Sequence, residues 1–400
     1  MLRMDPISNP YSPGAGAQPP ELAGRDDLLQ AVHVAIERIR RGRTAKSALM
    51  VGLRGVGKTV LLRRMHQQAT GAGNHCIWIE APEGRSLPAI LAPQLRHALL
   101  RLSTVERARD LAQRGLRALS GFVGKLRVKY QDIEVGLDHD PEPGLADNGD
   151  LETDLPALLE AAGLAAKAAD TALVIFVDEL QYVEEDQLAS LISALHHCTQ
   201  RSVPVILVGA GLPQLRGQMG NAKSYAERLF DFPFVGPLDR SAAVEALQVP
   251  ARELGVEYTP EATDRILEQT QGYPYFIQEW GKHCWDVAEA SPIDATDVAR
   301  ASEVATAAMD ASFFRVRFDR LTPSERRYLR AMAELGPGPH RSGDVAAVLG
   351  RRVTSLGPTR NSLIRKGMVW SPSHGDTAFT VPMFDAFMKR IMPSSDWLTA

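Results

Sequence analysis

Apolar positions follow two rhythms along this chain. Continuous apolar runs stand at residues 47–51, 76–79, 172–177 and 203–208, with a weaker one at Phe232-Pro233-Phe234-Val235. Unbroken runs of this length predict strands buried on both faces, as in a parallel sheet. Between them, apolar residues recur at helical spacing. They do so at Leu28, Leu29, Val32 and Ile36, with Asp26 or Asp27 as a cap, through a basic segment at 88–119, and from 155 to 169. Residues 120–150 read as loop, acidic and Pro-rich from Asp138 to Asp150. After Pro237 the strand signals stop, and residues 240–312 read as a helical bundle. From 321 to 393 the pattern is helix, helix, helix, then two short alternating strands. Residues 1–20, rich in Pro, Gly and Ser, read as a flexible lead-in. Strands alternating with helices predict α/β layering. The expected organisation is a flexible segment at 1–20, an α/β core at 21–239, a helical domain at 240–312 and a small C-terminal domain at 321–393.

Composition narrows this only a little. A chain of 400 residues implies two or three domains, and a hydrophobic content of 44% is that of an ordinary globular protein. A net charge of −3 gives no whole-chain signature of nucleic-acid binding, so any such surface must be local. Cys76, Cys198 and Cys284 are far apart, and the histidines show no metal-ligand spacing; His196-His197 point in different directions on a helix. With no long apolar run and no apolar leader in residues 1–20, the expectation is a cytoplasmic protein without a membrane partner.

The chemistry concentrates at Gly52-Leu53-Arg54-Gly55-Val56-Gly57-Lys58-Thr59, which fits G-x-x-x-x-G-K-[ST] and leads through Val60 into an amphipathic pattern. Glycines let backbone N–H groups close round a phosphate chain, and the following helix aims its positive end at the same anion. Lys58 would reach the β- and γ-phosphates, and the Thr59 hydroxyl would ligate Mg²⁺. At the end of the run 172–177 stand Asp178 and Glu179, two carboxylates where α/β sheets bind ligands. Asp178 would hold the Mg²⁺ shell, and Glu179 would orient and polarise a water. No guanine-reading N-K-x-D is present, so the expected nucleotides are ATP and ADP.

On these residues the chain resembles the AAA+ ATPases, and within them the prokaryotic group similar to the Orc1/Cdc6 initiators, over roughly residues 20–393. The resemblance implies an α/β fold: a P-loop NTPase parallel sheet with a helical lid domain and a C-terminal winged-helix domain. Glu21-Leu22-Ala23-Gly24-Arg25 looks like the family's box near adenine, which places Arg25 by the nucleotide. Val205-Ile206-Leu207-Val208-Gly209-Ala210-Gly211 looks like the strand carrying sensor 1, but its tip has no polar side chain; Gln214 is a weak substitute. Ser224-Tyr225-Ala226-Glu227-Arg228 looks like the segment ending in an arginine finger, with Arg228 either reaching a neighbouring subunit or standing on a helix surface. Gln271-Gly272-Tyr273-Pro274-Tyr275 looks like the sensor-2 segment, with Tyr275 about where the initiators place arginine. That departure resembles the Gly-x-Pro form of the STAND signalling ATPases. Pro274 would approach the nucleotide or pack in the lid.

Residues 321–393 look like a winged helix. Thr322-Pro323-Ser324-Glu325 reads as a helix start, 342–350 as a short helix stopping at glycine, and Pro358 as the start of a third. Residues 368–370 and 378–381 alternate like strands about a turn at 371–376. Arg351, Arg352 and Arg360 would flank the third helix as phosphate contacts on duplex DNA, and Asn361 would read adenine or satisfy the helix start. Three functions follow. The first is a slowly hydrolysing ATPase controlling DNA binding or partner loading. The second is a signalling switch whose winged helix meets protein, with a homo-oligomer or another partner. The third is a nucleotide-stabilised scaffold.

Overall fold

The computed structural model describes residues 4–14, 21–136, 139–393 and 395–398. They divide into two compact units: residues 25–51 with 58–234, and residues 52–57 with 235–400 and the N-terminal segment up to Gly24.

The first unit is built on five parallel strands: β1 (Ser47–Val51), β2 (His75–Glu80), β3 (Leu173–Asp178), β4 (Val205–Gly211) and β5 (Phe230–Asp231), in the order β2-β3-β4-β1-β5. Every residue of β1, β3 and β4 is buried, as their unbroken apolar runs require. At roughly 1.5–3 kcal/mol per fully buried large aliphatic or Phe side chain, these strands are the main stabilising element of the unit. The last strand differs from expectation. The ladder with β1 lies at 230–231, and the run expected at 232–235 adds one parallel bridge, Phe234 to Val51, with the Val51 N–H donating to the Pro233 carbonyl at 3.0 Å; Pro233 has no N–H to extend the ladder.

Eight helices surround the sheet: α1 (Asp26–Arg40), α2 (Lys58–Gly71), α3 (Leu87–Ser103), α4 (Arg109–Leu126), α5 (Leu151–Ala168), α6 (Glu185–Gln200), α7 (Leu215–Ala222) and α8 (Ala226–Leu229). The cap expected of Asp26 or Asp27 falls on Arg25 instead, and the two acids occupy the first turn, where they face the helix's positive end. The basic segment expected as one helix is α3 and α4, broken at 104–108, and α4 runs on through residues expected as loop. The acidic stretch at 138–150 falls in part outside the described residues, which omit 137 and 138.

In the second unit, α9 (Arg240–Arg252), α10 (Pro260–Thr270), α11 (Pro274–Val287) and α12 (Ala295–Met309) form the helical part. A π-turn at Asp310–Phe314 continues α12 into α13 (Arg315–Asp319). The C-terminal part is α14 (Pro323–Leu335), β6 (His340–Arg341), α15 (Ser342–Val348), α16 (Val353–Arg365), β7 (Val369–Trp370), β8 (Asp376–Phe379) and α17 (Phe384–Ile391). Its strands form an antiparallel sheet in the order β6-β8-β7. The Thr322 start is a capping box: the Glu325 N–H donates to Thr322 Oγ1 at 3.4 Å, and Glu325 Oε2 accepts from the Thr322 N–H at 2.7 Å. The strand β6 carries no apolar alternation, and the sequence reading missed it. The third helix begins at Val353, not at Pro358, which lies inside it.

The flexible lead-in does not hold for residues 4–14; residues 1–3 and 15–20 lie outside the described set. Tyr11 is buried in the core of the helical part with Trp280 and Trp285, and its hydroxyl donates to the Leu247 carbonyl. Asn9 Nδ2 donates to Asp286 at 2.8 Å, and Trp285 Nε1 donates to the Asp5 carbonyl at 3.0 Å. Composition alone hid one aromatic anchor among Pro, Ser and Gly. Tyr11→Ala is expected to destabilise this unit by about 3–5 kcal/mol, read as a shifted urea midpoint in tryptophan fluorescence. Ile7→Ala, at a side chain 93% exposed, should leave the midpoint in place.

Candidate nucleotide site

The parallel pairing brings three strand ends to one edge. In the ladder Val51 of β1 stands opposite Gly211 of β4, and Gly209 of β4 opposite Val177 of β3. Ligands of open α/β sheets bind beyond such carboxyl ends. The chain leaves β1 through residues 52–57 and enters α2 at Lys58. Gly57 sits at φ +89°, a left-handed conformation that an L side chain adopts only under strain. A Cβ at Gly52 would lie 2.1 Å from the Val235 carbonyl oxygen, so only glycine lets the loop pass there. Two further bonds hold the loop: Tyr275 N–H donates to the Gly55 carbonyl at 3.1 Å, and Arg54 N–H donates to the Thr380 carbonyl at 2.9 Å.

At the head of α2, the Thr59 hydroxyl hydrogen-bonds the Asp178 carboxylate. Asp178 is 4% exposed. Burial raises its carboxyl above the usual carboxylate range; the Thr59 hydroxyl opposes this, Glu179 adds to it, and the Glu179 N–H and the Lys58 ammonium oppose it. A buried carboxylate paired with a hydroxyl is a hard oxygen donor set of the kind Mg²⁺ takes alongside phosphate oxygens, so these residues fit the ion.

Glu179 stands in the left-handed region at φ 53°, ψ 36°. For a non-glycine residue this costs on the order of 1–3 kcal/mol and persists only where surroundings hold it. They do: its N–H donates to Asp178 Oδ1 at 2.9 Å, and its carboxylate accepts from Gln181 Nε2. Gln181, which sequence reasoning missed, also accepts from the Leu212 N–H at 3.0 Å. Its signal was its place two residues after Glu179, in a run with no known motif.

The other expected residues are distributed as follows. Leu53, Val56 and Val60 lie in the loop and the first turn of α2; Arg25 is the residue before α1. Pro274 is the first residue of α11, where its missing N–H costs nothing. The Tyr275 ring stacks on Phe313 at 4.7 Å between centroids, and its hydroxyl donates to Glu279. Arg228 is exposed on the one-turn helix α8.

In the C-terminal part, Arg351, Arg352 and Asn361 are exposed. Arg360 requires correction. Its guanidinium donates to Thr377 Oγ1 at 2.7 Å, and to Ser371 Oγ and the Asp376 carbonyl at 2.8 Å, so it braces the β7–β8 turn. It lies in the second turn of α16 because the helix starts earlier than expected. Other basic groups counted toward a DNA surface are also committed: Lys366 to Glu325, Arg390 to Asp310, Arg341 to Asp376, and Arg330 to Glu334 and the Met392 carbonyl.

Among the described residues no His, Cys, Asp and Glu cluster forms a metal site, and no helix is long and apolar enough to cross a membrane. No curated protein matches the chain by sequence. Residues 311–388 match a family described as a domain of unknown function. In structure the chain is similar to a Walker-type ATPase of Pyrococcus abyssi, at 16% identity and a TM-score of 0.57 over 93% of this chain and 97% of that one. It is more distantly similar to the Aeropyrum pernix Orc1 protein in complex with DNA, at 15% identity and a TM-score of 0.49 over 93% and 94%. It is likewise similar to the Thermotoga maritima Holliday junction branch migration motor RuvB, at 17% identity and a TM-score of 0.43 over 91% and 96%. The fold likeness rests on the first. Residues 21–208 match the family described as AAA ATPase domain, and the loop, the acidic strand end and the strand order above are those of a P-loop NTPase fold.

Proposed function

We propose that this protein is a slowly cycling ATPase whose nucleotide state sets the position of its C-terminal part. The observation that carries the reading is the hydrogen bond from the Arg54 N–H to the Thr380 carbonyl. It ties the phosphate loop to the residue just after β8. Backbone N–H groups of such a loop are the groups that bind phosphate oxygens. A nucleotide that draws on the Arg54 N–H competes with Thr380 for the same proton. ATP and Mg²⁺ together supply the phosphoryl group and the charge neutralisation of the reaction. Gly52, Leu53, Arg54, Gly55, Val56, Gly57 and Val60 cradle the phosphates, Lys58 holds β- and γ-oxygens, and Thr59 and Asp178 hold the ion. Glu179 accepts a proton from the attacking water. No charged side chain stands at the tip of β4 or at Tyr275, which supports slow turnover. Arg228, exposed on α8, would act in a neighbouring copy's site only in an oligomer.

The C-terminal part supports a winged-helix reading by its order of helices and its three-stranded sheet. Its partner is a protein surface in the first reading, because Arg330, Arg341, Arg360, Lys366 and Arg390 are paired internally. A second reading, duplex DNA, is favoured by the exposure of Arg351, Arg352, Asn361 and Arg365, at the start of α16 and along it.

ATP·Mg²⁺ at a hundred times Kd should stabilise the wild type by about 2.7 kcal/mol and change hydrogen exchange in peptides covering 376–384. Lys58→Ala should lose both effects. Equal thermal shifts, or an exchange pattern at 376–384 indifferent to nucleotide, would overturn the coupling.

Glu179→Gln keeps the shape and loses the base. Steady-state turnover should fall by roughly 100-fold or more, while nucleotide binding persists. Unchanged turnover would assign the water to another group.

The DNA reading predicts that Arg351→Ala/Arg352→Ala/Arg365→Ala weakens duplex binding across sequences. The log–log salt dependence should flatten by about 0.9 per lost contact. If the full chain shows no duplex retention at low salt in either nucleotide state, the protein-partner reading stands.

A further inference from the structure

The tip of β4 is glycine on both sides of Ala210, and the side chain that fills the space comes from elsewhere. Gln181, 7% exposed, follows Glu179 in the short helical turn after β3. Its amide has two ends and both are used. Oε1 accepts from the Leu212 N–H at 3.0 Å, which fastens it to the residue just past β4. Nε2 donates to the Glu179 carboxylate. Its own carbonyl accepts from Gln218 Nε2 of α7 at 3.4 Å. A Cβ at Gly211 would stand 2.8 Å from Gln181 Oε1 and 2.8 Å from Leu215 Cδ2. The glycine therefore leaves room for the amide, and a side chain at that position would displace it. One at Gly209 would meet Leu49 Cδ2 at 2.6 Å.

We infer that Gln181 is a positioning residue for hydrolysis, linking the tip of β4 to the Glu179 carboxylate through one amide. Resting on the hydrolytic reading of Glu179, it assigns to Gln181 the polar function that 209–211 cannot carry. The donor end matters most. A carboxylate that accepts a water's proton has to keep one oxygen aimed at that water. Gln181 Nε2 occupies the other oxygen, Oε2, and so fixes the plane of the carboxylate on a backbone already held in the left-handed region. The acceptor end ties that plane to β4, so a shift of the strand end moves the base.

The two ends are separable by substitution. Gln181→Met keeps the length and removes both hydrogen bonds. Gln181→Glu keeps the acceptor for Leu212 and removes the donor to Glu179. The full chain carries each variant, Glu179→Gln, and the double variant Gln181→Met/Glu179→Gln. Turnover, KM, ATP affinity and Tm are measured for all. Both Gln181 variants should lose kcat by roughly 10- to 100-fold, the scale of a misaimed group, with ATP affinity within about twofold of wild type. The double variant should be no slower than Glu179→Gln alone, because Gln181 acts through that carboxylate. A merely structural brace predicts the opposite: Gln181→Glu near wild type, and Gln181→Met with a lowered Tm and turnover lost only in proportion to unfolding. That result, or a double variant slower than Glu179→Gln, overturns the inference while Glu179 stays the base. If Glu179→Gln itself turns over at the wild-type rate, the hydrolytic reading fails, and the role of Gln181 falls with it.

Discussion

Because β4 pairs in parallel with β1 on one side and β3 on the other, every chemical group of the first unit's site is placed by one set of ladder bonds. The register sets Val51 against Gly211 and Val177 against Gly209. It fixes where α2 begins after the loop and where Asp178 and Glu179 emerge. The Thr59–Asp178 contact joins the head of the helix that follows β1 to the end of β3. A slip of one residue would turn every buried side chain of β3 to the opposite face. Strands buried on both faces tolerate no such slip, so the apolar runs that stabilise the fold also fix the geometry of the acidic pair.

The same physics explains what was legible in the sequence. The strands β1, β3 and β4 were, because double-sided burial writes an unbroken apolar run; the edge strand β2 showed as the shorter run 76–79. The phosphate loop was, because its glycines answer to backbone demands visible as spacing: φ +89° at Gly57 and the carbonyl of Val235 against Gly52. What escaped depended on partners distant in sequence. Tyr11 reads as one aromatic in a Pro- and Ser-rich segment until Leu247 and Trp280 surround it. Gln181 reads as an ordinary polar residue until Leu212 and Glu179 take its two ends. The strand β6 is two residues long, too short for any alternation to appear.

Charge in the C-terminal part shows the limit of counting. Its excess of arginine over acid looks like a polyanion surface, yet Arg360 makes three bonds to the β7–β8 turn and Lys366 pairs with Glu325 at 2.8 Å. Lys366 also meets the Arg320 carbonyl. Guanidinium groups suit this work, since five donors in a plane can satisfy several carbonyls of a tight turn at once. Arg360 is not available to a phosphate without giving up its bonds to the Asp376 carbonyl and the Thr377 and Ser371 hydroxyls. The exposed side chains of Arg351, Arg352 and Arg365, at the start and along α16, make none of these bonds.

Two backbone hydrogen bonds join the phosphate loop to other residues of the second unit. Tyr275 gives its N–H to Gly55, while its ring lies on Phe313 and its hydroxyl on Glu279. The position thus acts on the loop through backbone and contributes no charge to a γ-phosphate. Thr380 acts on Arg54 in the same way. Loss of a single backbone hydrogen bond is worth only about 0.5–1.5 kcal/mol net. A nucleotide that replaces the Thr380 carbonyl with a phosphate oxygen gains a charged acceptor for a neutral one, which is stronger by roughly twofold. The balance between the two acceptors is therefore close enough for a phosphate chain to tip. In the proposed cycle, electrostatic stabilisation of a γ-phosphate would fall to Lys58 and the ion, since α11 carries no arginine. Under the proposed reading, a site so arranged would hold ATP long enough for the C-terminal part to respond to the bound state.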